Sequence, residues 1–226
     1  MQSLYEYAVM RDMQDGVTRP GGLGLTGGLL DYCDLNGGSQ VLDLGCGCAA
    51  SLRFVKEKFD CKIYGLDIAR QLLLQARRRH SDHSLIQANI FAIPFALNTF
   101  DLILLECVAT IFSIEKCLSI CKRLLKPGGK ILLADLYARK ADGLNEIRQL
   151  PKRTCIQGVI MHEDILRALE TFGFKLVHWK DYSETMENFP MKTLSTSLQI
   201  NLFDLVMAAN SVDLGYYGLI AELKTG

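Results

Sequence analysis

The sequence has no net charge to spend on partners: 25 Lys and Arg balance 25 Asp and Glu across 226 residues. No overall field therefore draws the chain to nucleic acid or to an anionic membrane surface. It also lacks any run approaching the roughly 18 apolar residues that a membrane-spanning helix needs. Internal repeats and low-complexity tracts are missing, and no linker divides the chain. Met1–Met10 carries Glu6 and no continuous apolar core, so it does not read as a signal peptide, and the expected compartment is the cytoplasm. The one basic cluster, Arg77-Arg78-Arg79-His80, has no aromatic platform beside it and falls at the C-terminus of an expected helix. Cations suit the dipole there, so neither nucleic acid nor membrane is an expected partner.

A disulfide framework is absent as well, although cysteine itself is not. Eight cysteines are scattered through an aliphatic-rich chain, unlike the short secreted scaffolds that bridges hold together. Cys46 and Cys48 flank a glycine, where small side chains are needed anyway. Cys117 and Cys121 share helical spacing with Ile114, Leu118, Leu124 and Leu125, which is the stripe of a buried helix face. Core packing accounts for both pairs, and no metal site is expected from their spacing.

What is present is the composition of one generous globular domain, 49% apolar and 22% charged. The rest is organised around Val41-Leu42-Asp43-Leu44-Gly45-Cys46-Gly47-Cys48-Ala49-Ala50, an apolar strand that turns on two glycines into a helix over Ser51–Phe59. Before it come an amphipathic helix over residues 1–20, a break at Arg19-Pro20-Gly21-Gly22 and a helix over Leu23–Leu35. After it the pattern predicts strand Cys61–Asp67, helix Ala69–His80, strand Ser84–Gln87 and strand Thr99–Glu106, the last apolar enough to be buried on both faces. Helix Ile114–Leu125 follows, stopped by Lys126-Pro127-Gly128-Gly129, and then strand Lys130–Asp135. Helix Glu163–Phe172, strand Phe174–Lys180, a helix near Leu198–Ala209 and a closing strand Gly218–Leu223 complete the chain. Alternating strands and helices indicate an α/β fold with a doubly wound, mostly parallel seven-stranded sheet and helices on both faces. The helix near Leu198–Ala209 is apolar enough either to form a homodimer contact or to cover the sheet.

In such a sheet a ligand lies outside the C-terminal strand ends, where the strand order reverses. The first strand ends at Asp43, beside bare N–H groups of the glycine turn. A carboxylate there disfavours a pyrophosphate and favours a ligand bearing an ammonium. The second strand ends at Asp67, twenty residues after Gly47, where a carboxylate can accept from both hydroxyls of a ribose. Asn89 and the Ile90 N–H follow the third strand, within reach of a base edge. The fourth ends at Glu106-Cys107.

These segments, with Ala88–Phe95, Thr99-Phe100-Asp101 and Leu125-Lys126-Pro127-Gly128-Gly129, resemble the ordered motifs of class I S-adenosylmethionine-dependent methyltransferases over roughly residues 38–180. The resemblance implies a Rossmann-like fold and S-adenosylmethionine (SAM) as cofactor, with methyl transfer to a small-molecule acceptor. It implies cofactor-binding roles for Asp43, Gly45, Cys46, Gly47, Asp67, Ile68, Asn89, Ile90 and Glu106. Asn89 stands where the family usually has Asp, and Ala49 where a third glycine is common. One domain over residues 1–226 is implied, with residues 1–37 as an N-terminal lid, 38–180 as the cofactor core, and 181–226 as a further lid helix and closing strand. Candidate catalytic residues are Glu106, Cys107, Cys155 and His162, with Tyr137 a further candidate base.

A narrower likeness, through Glu106-Cys107-Val108 and Cys155–Ile160, is to arsenite methyltransferases, where a cysteine at the position of Cys155 is a thiolate ligand. That family's other ligand cysteines have no counterpart here, either at Arg19–Leu23 or after residue 155. A single thiolate cannot reproduce a three-sulfur site. The rival readings are a nicotinamide-dependent oxidoreductase, for which Asp43 would be ill placed, and a non-catalytic SAM-binding module.

Overall fold

The computed structural model of the chain describes residues 19–79, 84–150, 155–188 and 201–225. Seven strands form one sheet: β1 (Gln40–Leu44), β2 (Lys62–Asp67), β3 (Ser84–Gln87), β4 (Phe100–Glu106), β5 (Leu125–Ala138), β6 (Phe174–Asp181) and β7 (Leu214–Leu223). They lie side by side in the order β3-β2-β1-β4-β5-β7-β6. Strands β1 to β5 pair parallel with one another, and β7 runs antiparallel to both β5 and β6. The order turns back between β1 and β4, and the register sets Asp43 beside Leu104 and Gly65. A crevice opens at such a reversal. Asp43 therefore stands at its base.

Helices cover both faces because the strands are apolar on both. One face buries Leu25, Leu29 and Leu30 of α1 (Gly22–Leu30) and Leu52 and Val55 of α2 (Ala50–Phe59). It also takes Leu73 and Ala76 of α3 (Arg70–Arg79). The short α4 (Ala109–Phe112) leads into α5 (Ile114–Leu124), whose Ile114, Cys117, Leu118, Cys121 and Leu124 form the expected buried stripe on the other face. Ile165 and Leu169 of α7 (His162–Thr171) pack beside them. Between these lie α6 (Leu144–Arg148) and a 3-10 turn, Cys155–Gly158; a second 3-10 turn spans Ser183–Asn188. Helix α8 (Leu202–Ser211) turns Leu205, Ala208 and Ala209 inward to cover the sheet, while Phe203 stays 69% exposed on its outer side.

Three expectations need correction. The helix before β1 ends at Leu30 rather than Leu35, because its exit tightens through Tyr32 and Cys33 N–H bonds to the carbonyls three residues back. The closing strand begins at Leu214, four residues before Gly218. Gly215 and Gly218 both serve the strand: a Cβ on Gly215 would lie 2.5 Å from the Tyr137 ring, and one on Gly218 2.8 Å from Leu29. Lys126–Gly129 stops α5 as expected but is itself the start of β5. The helix expected over residues 1–20 lies outside the described residues, apart from Arg19 and Pro20, as do residues 198–200 of the helix expected near Leu198–Ala209. Among the described residues no helix is long and apolar enough to cross a membrane.

Candidate active site

The turn after β1 is built by two glycines in left-handed conformations, Gly45 at φ 85° and Gly47 at φ 52°. A side chain at Gly45 would be strained there, and its Cβ would fall 2.7 Å from Val108 Cγ2. The turn is anchored sideways. Gly45 and Cys46 N–H both donate to the Leu66 carbonyl, at 2.7 and 3.1 Å. Gly47 N–H donates to Asp67 Oδ2 at 2.8 Å, and Asp67 Oδ1 accepts from Ala69 N–H at 2.7 Å. One carboxylate thus ties the glycine turn to the end of β2. Ala49 precedes α2 at φ 60°, without a side-chain cap, and that left-handed conformation explains why a glycine suits the position.

Along the same rim, Ala88 N–H donates to the Asp67 carbonyl, which brings Asn89 and Ile90 next to Asp67. Asn89 is exposed and its Oδ1 accepts from Phe91 N–H, forming a local turn. Ile90 is buried below it, while Ile68 and Phe91 stay 54% and 52% exposed. Two large apolar side chains left open on a polar rim make a surface for a flat ring.

Deeper in the crevice the sequence reading is incomplete. Asp43 is only 3% exposed, and its pKa is driven well above the carboxylate range by burial, then by the negative charge of Glu106, with Arg19 opposing. Glu106 lies in a nest of donors. Arg19 Nη2 reaches Glu106 Oε1 at 2.6 Å and Ser51 Oγ at 3.3 Å, and it also donates to Thr26 Oγ1. Thr26 donates to Oε1 at 2.8 Å, and Ser51 donates to Oε2. Arg19, Thr26 and Ser51 were legible only as a helix break, a helix interior and a helix start. What could have singled them out is their number: three hydrogen-bonding side chains on the segments flanking β1, opposite a buried strand-end glutamate.

Of the remaining catalytic candidates, Cys107 adjoins this centre and the others are engaged elsewhere. Cys107 turns the chain at φ 57°, and its Sγ lies 3.4 Å from the Tyr216 hydroxyl. Burial, then the charge of Asp135, pushes its thiol pKa well up; the same two causes take Cys155 to about 12. Both are therefore thiols, not thiolates, at neutral pH. His162 begins α7 with its ring centroid 4.4 Å from that of Trp179. Tyr137 donates to Asp181 Oδ2 at 2.7 Å, and its pKa rises to about 12 through burial and that bond. Among the described residues no group of three or more His, Cys, Asp or Glu could hold a metal ion.

Beyond β4 a cavity of about 260 Å³ opens under α4, lined by Thr110, Phe112, Leu136, Gln157, Ile160 and Tyr217 among others. Its wall is fixed by Asp135, fully buried, which accepts from Thr110 N–H at 3.1 Å, Thr110 Oγ1 at 2.7 Å and Leu136 N–H at 2.8 Å. Burial outweighs those bonds and raises the Asp135 pKa to about 6. A carboxyl with a raised folded pKa favours the native state below its unfolded pKa and loses that contribution as pH rises through the folded value. Urea unfolding of wild type and Asp135→Asn at a series of pH values should show this. Relative to the variant, the wild type should lose up to about 3 kcal/mol between pH 4 and 6.5. A difference between the two that does not change with pH would contradict a titrating Asp135.

The sequence matches the family described as a methyltransferase domain over residues 35–189, more than half of the chain. It is 32% identical to phosphoethanolamine N-methyltransferase of Plasmodium falciparum, over 73% of this chain and 64% of that protein. It is 35% identical to malonyl-[acyl-carrier protein] O-methyltransferase of Enterobacter lignolyticus, over 49% of this chain and 43% of that protein. The matches thus span less than two thirds of those curated relatives' own lengths. The fold is similar to phosphoethanolamine N-methyltransferase 2 of Haemonchus contortus, solved with S-adenosyl-L-methionine, at TM-score 0.73 and 16% identity. That likeness covers 98% of this chain and 57% of the other, and at such identity it concerns the fold alone.

Proposed function

The chain belongs to the methyltransferase-domain family, and from that premise we propose that it binds SAM and transfers its methyl group to a small-molecule acceptor. The observation that carries this reading is the buried Asp43, paired with Glu106 at the sheet's reversal point, one strand from Asp67. A buried carboxyl pushed towards neutrality next to a second carboxylate fits a cationic ligand end, and the amino-acid end of SAM carries an ammonium.

In this reading, Asp43 and Glu106 hold the ammonium end, and the backbone of Gly45, Cys46 and Gly47 lies against the ligand. Asp67 and Ile68 take the ribose, and Asn89 with the Ile90 N–H takes the adenine edge. When bound, the cofactor supplies an electrophilic methyl on a sulfonium, open to in-line attack by an acceptor lone pair. The cavity under α4, whose wall starts three residues after Glu106, is the place for that acceptor. The protein's part is to align the two and exclude water. Both oxygens of Glu106 already accept from donors, so it serves as a holder rather than a free base. Arrest of Tyr137 by Asp181 and of His162 against Trp179 leaves positioning as the main contribution.

A nicotinamide cofactor would have to bring its pyrophosphate against buried Asp43. An arsenite-type site would need thiolates, which burial of Cys107 and Cys155 opposes. Calorimetric titration of the reduced protein with SAM, S-adenosylhomocysteine and NADH tests the cofactor. Micromolar binding of the two adenosyl ligands, with none of NADH, is the expected result. Absence of adenosyl binding would overturn the proposal, and adenosyl binding without turnover on a broad panel of amine, hydroxyl and thiol acceptors would favour a non-catalytic SAM-binding module.

A further inference from the structure

Positioning alone serves an acceptor that attacks with a free lone pair, but a hydroxyl also has to shed its proton as it attacks. The candidate bases around the crevice are engaged. Both oxygens of Glu106 accept from donors, Tyr137 is held by Asp181, and Cys107 and Cys155 are buried thiols. In the lining of the cavity under α4, Glu115 is exposed at the start of α5, and burial pushes the Tyr217 hydroxyl pKa well up. One acid behind the cavity wall has no part in the reading so far.

Asp135 is fully buried in β5, and what acts on it most is burial, followed by hydrogen bonds from Thr110, Leu136 and Ala109. The titratable side chains around it are Cys107 at the end of β4, Cys117 on α5, Cys155 on the 3-10 turn, and Tyr216 and Tyr217 on β7, each of which feels the Asp135 charge. None of them is a cation. Arg19 acts on Cys107 and Tyr216 but is bonded to Glu106. A buried carboxyl without a counter-charge is costly, and an amide of the same shape would avoid that cost. A carboxyl kept in such a place and poised near neutrality is suited to taking up a proton. Its link to the cavity is one side chain. Thr110 lines the cavity, is 8% exposed, and donates from Oγ1 to Asp135 Oδ1 at 2.7 Å. The Thr110 N–H donates to Oδ2 at 3.1 Å, so hydroxyl and carboxylate are held in register. A hydroxyl that gives its own proton inward keeps lone pairs to accept another from the cavity side.

We propose that Thr110 and Asp135 form a proton relay for a hydroxyl-bearing acceptor, with Thr110 Oγ1 receiving the acceptor's proton while passing its own to Asp135 Oδ1. This rests on the acceptor site proposed above and narrows its substrate to the O–H class. As the acceptor oxygen bonds to the methyl carbon, the carbon–sulfur bond breaks and its electron pair goes to sulfur. The acceptor's O–H proton goes to Thr110 Oγ1 and the Thr110 proton to Asp135. The products are a methyl ether, S-adenosylhomocysteine and a neutral Asp135. Once the ether leaves, the proton returns along the same path to water in the cavity. Thr110 touches the acceptor, and Asp135 acts through it.

The test is methyl transfer from SAM to three probes that share one ring: phenol, aniline and thiophenol. Only phenol has to lose a proton as it attacks, since aniline offers a lone pair and thiophenol is an anion at mildly alkaline pH. In the wild type, kcat for phenol should fall as pH drops through about 6, while kcat for aniline stays level across that range. Thr110→Val and Asp135→Asn should each lower kcat for phenol by about 100-fold, while KM, aniline turnover and S-adenosylhomocysteine affinity move by less than about threefold. Thr110→Ser, which keeps the hydroxyl, should retain most of the phenol rate. Equal losses of phenol and aniline turnover would make the pair a structural cap of α4 and overturn the relay, as would an unchanged phenol rate in Thr110→Val. Methylation of aniline or thiophenol but not phenol would overturn the hydroxyl class and leave the methyl-transfer reading standing. Methylation of none of the three by protein that binds S-adenosylhomocysteine would take the acceptor out of this cavity, and the relay with it, without touching the cofactor reading.

Discussion

Asp67→Ala is expected to lower affinity for SAM and S-adenosylhomocysteine by at least about a hundredfold, because one carboxylate serves two purposes. Its oxygens already accept the N–H groups of Gly47 and Ala69, at 2.8 and 2.7 Å. The first of these ties the glycine turn to β2, so losing it frees the backbone against which the ligand would lie. The same carboxylate is the proposed partner of the ribose hydroxyls. Bonds to a charged acceptor contribute about 1.5–3 kcal/mol each, and losing two such bonds spans the predicted factor. Asp67 lies on a partly open rim, so water can satisfy the two backbone donors, and the melting temperature should fall by only a few degrees. Asp67→Asn, which keeps one acceptor, should sit between the two proteins. Titration calorimetry and a melting curve on each variant decide the matter; affinity within about threefold of wild type for Asp67→Ala would remove Asp67 from the ligand site.

Asp67 was legible in the sequence because its role depends on spacing along one chain segment. A strand ending twenty residues after a glycine turn can be counted, and so can Asp43, Asn89 and Glu106 at their own strand ends. The same local periodicity placed β3 at Ser84–Gln87 and the buried face of α5 residue by residue. Arg19 could not be reached that way. Its partner Glu106 is 87 residues away, and nothing local distinguishes a buried arginine before Pro20 from a solvated one. The start of β7 was set too late for a related reason. The local preference of Gly215 is to break a strand, and only the facing Tyr137 ring makes its lack of a Cβ a requirement. Properties set by contacts across the sheet, including the raised pKa of Asp135 and the cavity under α4, follow from packing that no single stretch encodes.

Gly158 shows how strongly such packing constrains one position, and Gly158→Ala is expected to be among the most damaging conservative substitutions in the chain. The 3-10 turn Cys155–Gly158 runs directly against α4, and a Cβ on Gly158 would overlap the Thr110 carbonyl, with Thr110 Cα at 2.9 Å. The obstruction is backbone, so no rotamer change relieves it. Thr110 cannot retreat cheaply either, because its N–H and hydroxyl are both bound to Asp135 inside the core. Either the turn lifts away from α4 or the Thr110–Asp135 bonds break; in both cases the cavity loses its shape. A loss of about 3 kcal/mol is the expected scale, which for a chain of this length lowers the melting temperature by roughly 6–12 °C. Gly24→Ala is the matched control: Gly24 lies inside α1, a Cβ there meets nothing within 4 Å, and alanine should be neutral or stabilising by up to about 1 kcal/mol. At a temperature where Gly158→Ala remains folded, S-adenosylhomocysteine should still bind within about threefold of wild type, since Asp43, Asp67 and Glu106 hold their own contacts. A Gly158→Ala protein that melts with the wild type would mean that the turn and α4 are not packed as described, and with that the cavity assigned to the acceptor would lose its wall.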